Sequence, residues 1–331
     1  MKADKIKVIL VVGARPNFMK VAPIYEEMKG HRVFKPILLH TGQHYDANMS
    51  DKFFRDLDLP NPDIFLGVGA GTHAEQTAKV MVKFEEVVLK ENPDLVVVVG
   101  DVNSTLACAL VASKINYSNR SLSQSDKNRK KDYINITGYR PHVAHVEAGL
   151  RSLDRTMPEE VNRILTDQIS DFLFVSEPSG LANLKKEGIH DDKVYFVGNV
   201  MIDTLLKYKS KAEGLGVARR LLKADAPYVL LTLHRPSNVD NRQTFIAITD
   251  SLREISKHIP IIFPVHPRTK VRIEESGLSS VYNFNNSCTN NIRCVEPLGF
   301  LKFLNLMGNA GWCLPIPEVF RKRLLCWGYH A

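Results

Sequence analysis

Three acidic residues lie directly after predicted strands or at the start of a predicted helix. Asp101 follows the apolar run 95–100, Glu147 follows the run 143–146, and Glu159 opens a predicted helix. Carboxylates that share one cleft can differ in pKa, so that one removes a proton from carbon and another returns it. Each of them also fits a purely structural role at a helix cap or in a first helical turn. The three positions therefore indicate either proton transfer at a carbon centre or helix capping.

Two cations follow the first predicted strand, where they could hold a phosphate. Arg15 and Lys20 lie at the turn and in the first turns of the next helix. Backbone N–H groups at a helix start attract anions, and a guanidinium and an ammonium would add charge-assisted hydrogen bonds. The sequence contains neither GxGxxG nor the P-loop pattern. A solvated helix start is the alternative explanation.

Two histidines, His234 and His266, also follow predicted strands and could carry protons or bind phosphate. Each stands near a proline, and such turns are often structural. Neither these histidines nor the carboxylates have the spacing of metal ligands, so the sequence predicts no metal site.

The elements that must position these residues alternate between apolar strands and amphipathic helices. Runs such as 95–100 are rich in β-branched residues and typical of parallel strands buried on both faces. Repeated βα units predict parallel sheets covered by helices, with ligands at the carboxyl ends of the strands. The pattern restarts within 176–227, so we expect an α/β protein of two Rossmann-like, doubly wound domains, 1–175 and 176–331.

Composition narrows the class of protein further. The chain has 331 residues, of which 44% are hydrophobic and 24% charged, as in ordinary globular proteins. Its apolar runs are far shorter than the roughly 20 residues that span a bilayer, and no signal-peptide pattern is seen. Five cysteines without CxxC spacing argue against a disulfide framework or a zinc knuckle. These features predict a cytoplasmic protein without membrane segments.

The net charge of +8 is concentrated in two stretches of the chain. The polar insertion 117–140 carries +4 and the tail 311–331 carries +2, while the remainder is close to balanced. A basic face on a folded domain would indicate nucleic-acid binding, whereas a basic insertion and tail favour no nucleic-acid partner. The alternative, nucleic-acid binding, would be tested by measuring the salt dependence of any affinity for nucleic acid after deletion of the insertion.

Ordered motifs along the chain resemble the non-hydrolysing UDP-N-acetylglucosamine 2-epimerases of bacteria and archaea. The resemblance covers residues 6–116 and 141–310. The motifs that carry it are GARPNFMKVAP (13–23), TGQHY (41–45), GTHAEQT (71–77), GDVNST (100–105), HVEAGLR (145–151), MPEEVNR (157–163), GN (198–199) and TLHRP (232–236).

The resemblance implies a fold like that of GT-B glycosyltransferases, with UDP-sugar in an interdomain cleft, and a homodimer. The implied reaction interconverts UDP-GlcNAc and UDP-ManNAc for cell-surface polysaccharide synthesis. The proton at C2 is abstracted and UDP is expelled to give a glycal, after which C2 is reprotonated and UDP returns. That chemistry needs no NAD, no metal and no other cofactor.

The resemblance also assigns roles to individual residues. It makes Asp101, Glu147, Glu159 and His234 catalytic, and it makes Arg15, Lys20, Arg163 and Phe303 substrate-binding residues. Phe303 would lie beside the uracil, with a plain core phenylalanine as the alternative. Gln43 and His44 match a loop near the regulatory sugar-nucleotide site of some members.

The resemblance fails after about residue 308, so we expect the second domain to be incomplete. The family continues there with a strand and the turn Asp-Ser-Gly-Gly-Ile-Gln-Glu-Glu, which holds the UDP phosphates and the ribose. Suitable codons for residues 315–328 encode this same turn in a neighbouring frame, so a frameshift is our hypothesis. A gene sequence whose codons cannot encode the turn would refute it.

Three other functions remain open from the sequence alone. A truncated, inactive or binding-only relative is one, and a hydrolysing epimerase or a GT-B glycosyltransferase are the others. The motifs at 145–151 and 158–160 favour the non-hydrolysing branch.

Overall fold

The computed structural model describes residues 5–43, 54–117, 140–223, 225–233, 236–282, 284 and 291–314. The chain divides into two compact units, Met1–Thr204 and Leu205–Ala331. The expected boundary at 175 thus differs from the division in the structure. The difference arises because strand β7 (Val194–Phe196) pairs in parallel with β6 (Phe172–Val175) and so extends the first sheet.

The first unit is built on one parallel sheet of seven strands among the described residues, in the order β3-β2-β1-β4-β5-β6-β7. Its other strands are β1 (Ile6–Val12), β2 (Phe34–His40), β3 (Ile64–Phe65), β4 (Leu95–Val99) and β5 (His142–Ala148). The chain moves outward in one direction after β1 and in the other after β4. These two neighbouring strands therefore form the topological switch point, where open α/β sheets bind ligands.

Helices cover both faces of this sheet, as the alternation of the sequence predicts. They are α1 (Arg15–Gly30), α2 (His73–Glu91), α3 (Asn103–Lys114), α4 (Pro158–Ile169) and α5 (Pro178–Lys186), with a 3₁₀ turn at Asp191–Lys193. Helix α6 (Val200–Glu213) runs across the boundary between the units. Helix α3 is rich in alanine, and its small buried side chains let it pack between α2, β4 and α4.

The second unit contains a smaller parallel sheet in the order β10-β9-β8-β11. Its strands are β8 (Val229–Leu231), β9 (Ile261–Pro264), β10 (Ile292–Val295) and β11 (Trp312–Leu314). Its helices are α7 (Val217–Leu222), α8 (Pro236–Val239), α9 (Arg242–Ser256), α10 (Pro267–Glu275) and α11 (Phe300–Asn309). The alternation of strands and helices therefore extends to Leu314, beyond the point near 308 where the resemblance ends, because β11 pairs with β8.

Both ends of the polar insertion are fixed at the start of β4. The Tyr117 hydroxyl donates to the Pro93 carbonyl (3.1 Å), and the His142 amide donates to the Asp94 carbonyl (2.9 Å). We expect replacement of residues 119–138 by a short Gly-Ser linker to change the free energy of unfolding by less than about 1 kcal/mol, since loop length contributes weakly. Urea unfolding of the two chains measures this difference. A loss of several kcal/mol would mean that the replaced segment packs on the unit.

The ion pair between Arg140 and the buried Asp171 carboxylate predicts a component of stability that acid removes. Two Arg140 nitrogens donate to Asp171 (2.8 and 2.7 Å), and so does the Val143 amide (2.9 Å). Burial alone would raise the pKa of Asp171, but these partners hold it below its usual 3.8. The pair therefore stabilises fully above that unfolded-state value, and the contribution disappears as pH falls through the lower folded-state pKa.

The variant D171N should accordingly lose about 2 kcal/mol of unfolding free energy at pH 7, since charged hydrogen bonds are removed. The gap to the wild type should shrink below about pH 4, where the wild-type carboxylate begins to take up its proton. Urea unfolding between pH 2.5 and 7 measures the gap. A gap that stayed constant over this range would contradict the assignment.

No described helix is both long enough and apolar enough to cross a membrane.

Candidate active site

Asn17 organises the turn between β1 and α1. Its Oδ1 accepts hydrogen bonds from the amides of Gly13 (3.0 Å) and Ala14 (2.9 Å), and its Nδ2 donates to the Val99 carbonyl (3.0 Å). The side chain is buried. One amide group thereby caps the start of α1 and ties it to the carboxyl end of β4. This contact fixes the two strand ends of the switch point against each other.

Lys20 and Glu147 form a buried ion pair beside this turn. The Lys20 Nζ contacts the Glu147 Oε2, and the two side chains are only 7% and 12% exposed. Lys20 comes from the second turn of α1 and Glu147 from the carboxyl end of β5. Loss of either partner would leave an uncompensated charge in a site that excludes most water. The structure therefore brings together one predicted phosphate-binding cation and one predicted catalytic carboxylate.

The backbone of Glu147 departs from regular strand geometry. Its φ is 72°, in the left-handed region that non-glycine residues seldom occupy. The pairing of β5 with β6 shifts register between Val146 and Ala148, so Glu147 is the extra residue of a β-bulge. Bulges re-aim side chains and concentrate near active sites, where such strain is maintained by surrounding contacts. Here the bulge turns the carboxylate toward Lys20.

Gly100 lets the ion pair approach the chain directly before Asp101. Its φ is 69°. A Cβ at this position would lie 2.7 Å from the Lys20 Nζ and 3.6 Å from the Glu147 Oε2. Only glycine leaves this space free and tolerates the conformation. Asp101 is therefore adjacent in sequence to the point against which the Lys20–Glu147 pair packs.

Arg163 joins Asp101 to helix α4. Its Nη2 donates to the Asp101 Oδ2 (2.5 Å), and its Nη1 donates to the Glu160 Oε2 (2.8 Å). Burial alone would lower the pKa of the Arg163 guanidinium, but the charges of Asp101 and Glu160 raise it above its usual value. Arg163 is thus permanently charged and holds Asp101 by charge-assisted hydrogen bonding.

Glu160, rather than its neighbour Glu159, is the buried carboxylate of this helix start. It accepts hydrogen bonds from the backbone amides of Ser152 (3.0 Å) and Leu153 (2.9 Å) in addition to the bond from the Arg163 guanidinium. Burial by itself would raise the pKa of Glu160, and these donors instead lower it. Glu159 lies in the same first turn and is partly exposed. Its assignment as catalytic therefore remains a prediction.

The other predicted site residues are placed differently. The Oε1 of buried Gln43 accepts from the Ser104 amide (2.9 Å) and hydroxyl (2.6 Å) at the start of α3. Phe303 lies partly buried on α11 in the second unit. Arg15 begins α1, but its side chain lies outside the described part of the structure, as do His44 and His234.

Sequence reasoning missed Asn17, Glu160, His145 and Asp167, all of which are buried polar residues of the first unit. A signal existed for His145, which interrupts the otherwise apolar run 143–146, because a buried polar group requires partners. Glu160 could not be separated from Glu159 without knowing which side of α4 faces the protein. Within the described ranges no group of three or more His, Cys, Asp or Glu residues could hold a metal ion.

The fold belongs to the GT-B-like α/β class, as expected from the sequence. The family UDP-N-acetylglucosamine 2-epimerase matches residues 26–118 and 139–314, and this chain belongs to that family of isomerases. The gap between the two matched ranges coincides with the polar insertion. The match ends at the last residue of β11.

Relatives named as UDP-sugar 2-epimerases align with most of the chain. It is 42% identical to UDP-N-acetylglucosamine 2-epimerase from Methanocaldococcus jannaschii, over 92% of this chain and 77% of that protein. It is 36% identical to UDP-2,3-diacetamido-2,3-dideoxy-D-glucuronate 2-epimerase from Pseudomonas aeruginosa, over 93% of this chain and 77% of that protein. The crystal structure of the M. jannaschii enzyme with UDP-GlcNAc and UDP superimposes with a TM-score of 0.76, at 40% identity, covering 93% of this chain and 78% of that one.

Proposed function

We propose that this chain interconverts UDP-GlcNAc and UDP-ManNAc by the non-hydrolysing route. The observation that carries the proposal is the Lys20–Glu147 pair packed against Gly100 at the β1/β4 switch point, next to Asp101. Family membership supports the same reaction. A carboxylate takes the C2 proton while the C1–O bond to UDP breaks, which leaves a glycal and UDP, both still bound. Protonation of C2 on the opposite face and re-formation of the C1–O bond complete the inversion.

The site offers the groups that this reaction needs. Glu147 and Asp101 are the two carboxylates for proton removal and return, and each is held by a cation, Lys20 or Arg163. Fixed cations stabilise the charge that develops on a departing diphosphate without further reorganisation. We propose that Arg15 and Lys20 also contact the nucleotide phosphates.

Further roles follow from the family and stay proposals. His234 and Glu159 complete the catalytic set, Phe303 contacts the uracil, and Gln43 with His44 belongs to a regulatory sugar-nucleotide site. For Gln43 the buried contact with Ser104 ties that loop to the start of α3, two residues beyond Asp101. We also propose that the predicted domains 1–175 and 176–331 are the two functional domains of the chain. Residues 176–204 belong to the second of these domains, although in the structure they are part of the first compact unit.

The sharpest test is proton NMR of the purified chain with UDP-GlcNAc in D₂O, without NAD or added metal. We expect UDP-ManNAc to appear with deuterium at C2. Free ManNAc and UDP would instead identify a hydrolysing epimerase, and glycosyl transfer to an added acceptor would identify a glycosyltransferase. Binding of UDP-GlcNAc without exchange at C2 would identify a binding-only protein. The uronate substrate of the P. aeruginosa relative should be tested alongside, since the two relatives act on different UDP-sugars.

We propose that the missing phosphate-binding turn is encoded in the neighbouring reading frame. The family match ends at Leu314, at the carboxyl end of β11, and β11 and β8 form the switch point of the second sheet. A turn that follows this strand would lie where such sheets bind ligands. A chain carrying Asp-Ser-Gly-Gly-Ile-Gln-Glu-Glu and the subsequent residues of that frame after Leu314 should therefore exceed the 331-residue chain in turnover by about 100-fold or more, since several charge-assisted hydrogen bonds are added. Equal turnover would refute this proposal.

We propose that the active form is a cytoplasmic homodimer. Helix α4 and the residue before it expose an apolar stripe at helical spacing, formed by Met157 (38% exposed), Val161 (40%) and Leu165 (45%). A second copy of the chain would cover this stripe. Light scattering should give the mass of a dimer for the wild type and of a monomer for V161E/L165E. The described cysteines are free thiols, as is usual in a reducing compartment.

A further inference from the structure

A chain of four ionisable side chains, three of them buried, lies behind the candidate active site. The His145 Nδ1 is 2.6 Å from the Asp167 Oδ1, and the Arg151 Nη2 donates to the Asp167 Oδ2 (2.7 Å). Arg151 continues to Glu187 through two hydrogen bonds (2.7 and 2.6 Å). His145, Asp167 and Arg151 are at most 2% exposed at their side chains. The proposed chemistry uses none of these residues directly, so this charged network needs another explanation.

Both ring nitrogens of His145 face oxygen acceptors. The Nε2 lies 2.8 Å from the Gly100 carbonyl oxygen, which can only accept, so Nε2 carries a proton. The Nδ1 faces Asp167, whose other oxygen already accepts from Arg151 and from the Gly149 amide (3.0 Å). That carboxylate is therefore an acceptor on both sides. The ring therefore cross-links the Asp167 carboxylate and the Gly100 carbonyl.

The two ends of this cross-link are the two backbone segments that present the candidate carboxylates. On one side His145 holds the carbonyl of Gly100, which directly precedes Asp101. On the other side Asp167 holds the amide of Gly149, two residues after Glu147. The bulge at Glu147 and the turn at Gly100 are thus joined through one imidazole and one carboxylate.

We propose that His145, acting with Asp167, is a positioning residue for epimerisation that fixes the Gly100–Asp101 turn relative to the Glu147 bulge. The inference rests on the proposed function. Proton transfer at C2 requires both carboxylates at set distances from one carbon, and displacements of about 1 Å can cost on the order of 100-fold in rate. A ring that only stabilised the fold would affect unfolding and leave turnover of the folded protein unchanged.

Two substitutions separate the two hydrogen bonds of the ring. In His145→Asn the amide nitrogen takes the place of Nδ1 and retains the contact with Asp167, while the contact with Gly100 is lost. In His145→Gln the amide nitrogen takes the place of Nε2 and retains the contact with Gly100. D171N is the matched control, because Asp171 is a buried ion-pair partner next to the opposite end of the same strand.

We expect H145N to lower kcat for UDP-GlcNAc by about 100-fold while KM changes by less than about threefold, since positioning acts on the chemical step. H145Q should retain more activity than H145N. D171N should lose about as much thermal stability as H145N but should keep the wild-type kcat. A folded H145N with wild-type kcat would overturn the proposal. An equal loss of kcat in D171N would also overturn it, because the effect would then follow general destabilisation.

Amide hydrogen exchange provides a readout that does not depend on turnover. The Gly100 amide donates to the Val146 carbonyl (3.1 Å) and the Gly149 amide to Asp167, so both should be protected in the wild type. H145N should accelerate exchange in the segments 98–103 and 146–150, whereas D171N should not. If the wild-type chain turned over no UDP-GlcNAc, the proposed function would fail. The exchange result would still decide whether His145 orders the two segments, and unchanged protection in H145N would refute that role.

Discussion

Glu147→Gln is expected to lower kcat for epimerisation by about 1,000-fold and to stop deuterium entry at C2. The glutamine keeps the shape of the side chain but cannot accept a proton from carbon, and positioned general bases contribute about 100- to 10,000-fold. The loss should fall on kcat, because the role proposed for Glu147 is to act on the reacting proton. NMR in D₂O measures epimer formation and exchange in the same sample.

The same substitution has a separate effect on stability. E147Q leaves the Lys20 ammonium buried without a counter-ion, and K20M does the same to the Glu147 carboxylate. Breaking a buried pair from one side costs about 3 kcal/mol. In the double variant K20M/E147Q no uncompensated charge remains, so most of that stability should return while turnover stays low. Urea unfolding of the four proteins gives the coupling energy.

This cycle separates a catalytic ion pair from a structural one. If E147Q turned over UDP-GlcNAc as fast as the wild type, the pair would be structural and the assignment of Glu147 would fail. E91Q is the control, because Glu91 pairs with Lys7 on the same unit but each side chain is about one quarter exposed. It should change stability by less than about 1 kcal/mol and leave kcat unaltered.

Most of the fold could be predicted because the alternation of strands and helices follows from local composition and hydrophobic periodicity. The run 95–99 is apolar and β-branched and forms β4, and the segment 73–91 has helical periodicity and forms α2. The division between the units was harder to predict. Strand β7 has only three residues, and nothing in them indicates pairing with β6 rather than the start of a new sheet.

The candidate site was predictable to the extent that its residues follow strands. Asp101, Glu147 and Lys20 were identified from their places after predicted strands, and Arg163 was identified only through the family resemblance. The structure brings the four together in two ion pairs. Their supporting contacts were not predictable, since each joins positions far apart in the chain. His145 and Gly100 are 45 residues apart, and Asn17 and Val99 are 82 apart. A motif shows which residues are present, but only the folded backbone shows which of them form hydrogen bonds with each other.

Gly149→Ala is expected to destabilise the first unit by about 4 kcal/mol and to reduce epimerase turnover at the same time. Gly149 has φ 79°, and a Cβ there would lie 2.6 Å from the Gly180 carbonyl oxygen and 2.8 Å from the Gly180 Cα. Both contacts are with the backbone of α5, so no side-chain rotation can relieve them. Left-handed strain adds to the clash, and losses above about 4 kcal/mol arise from such combined causes.

Gly188→Ala is the matched control for the backbone conformation alone. Gly188 has φ 76°, and nothing lies within 4 Å of its Cβ position. Its substitution should cost about 1 kcal/mol, the strain of a non-glycine residue in this conformation. The difference between the two variants in urea unfolding therefore measures the clash with α5. Equal losses would show that α5 moves aside at little cost.

The loss of turnover in G149A follows from the short span between Gly149 and Glu147. The Gly149 amide donates to Asp167 and its carbonyl accepts from Asn183 (2.9 Å), so both backbone groups of Gly149 are held by neighbouring helices. Moving Gly149 away from Gly180 must disturb these contacts and, two residues earlier, the bulge that aims Glu147 at Lys20. The folded fraction of G149A should consequently show a lower kcat, whereas folded G188A should match the wild type. Wild-type kcat in folded G149A would mean that the bulge is held by its pairing with β6 alone.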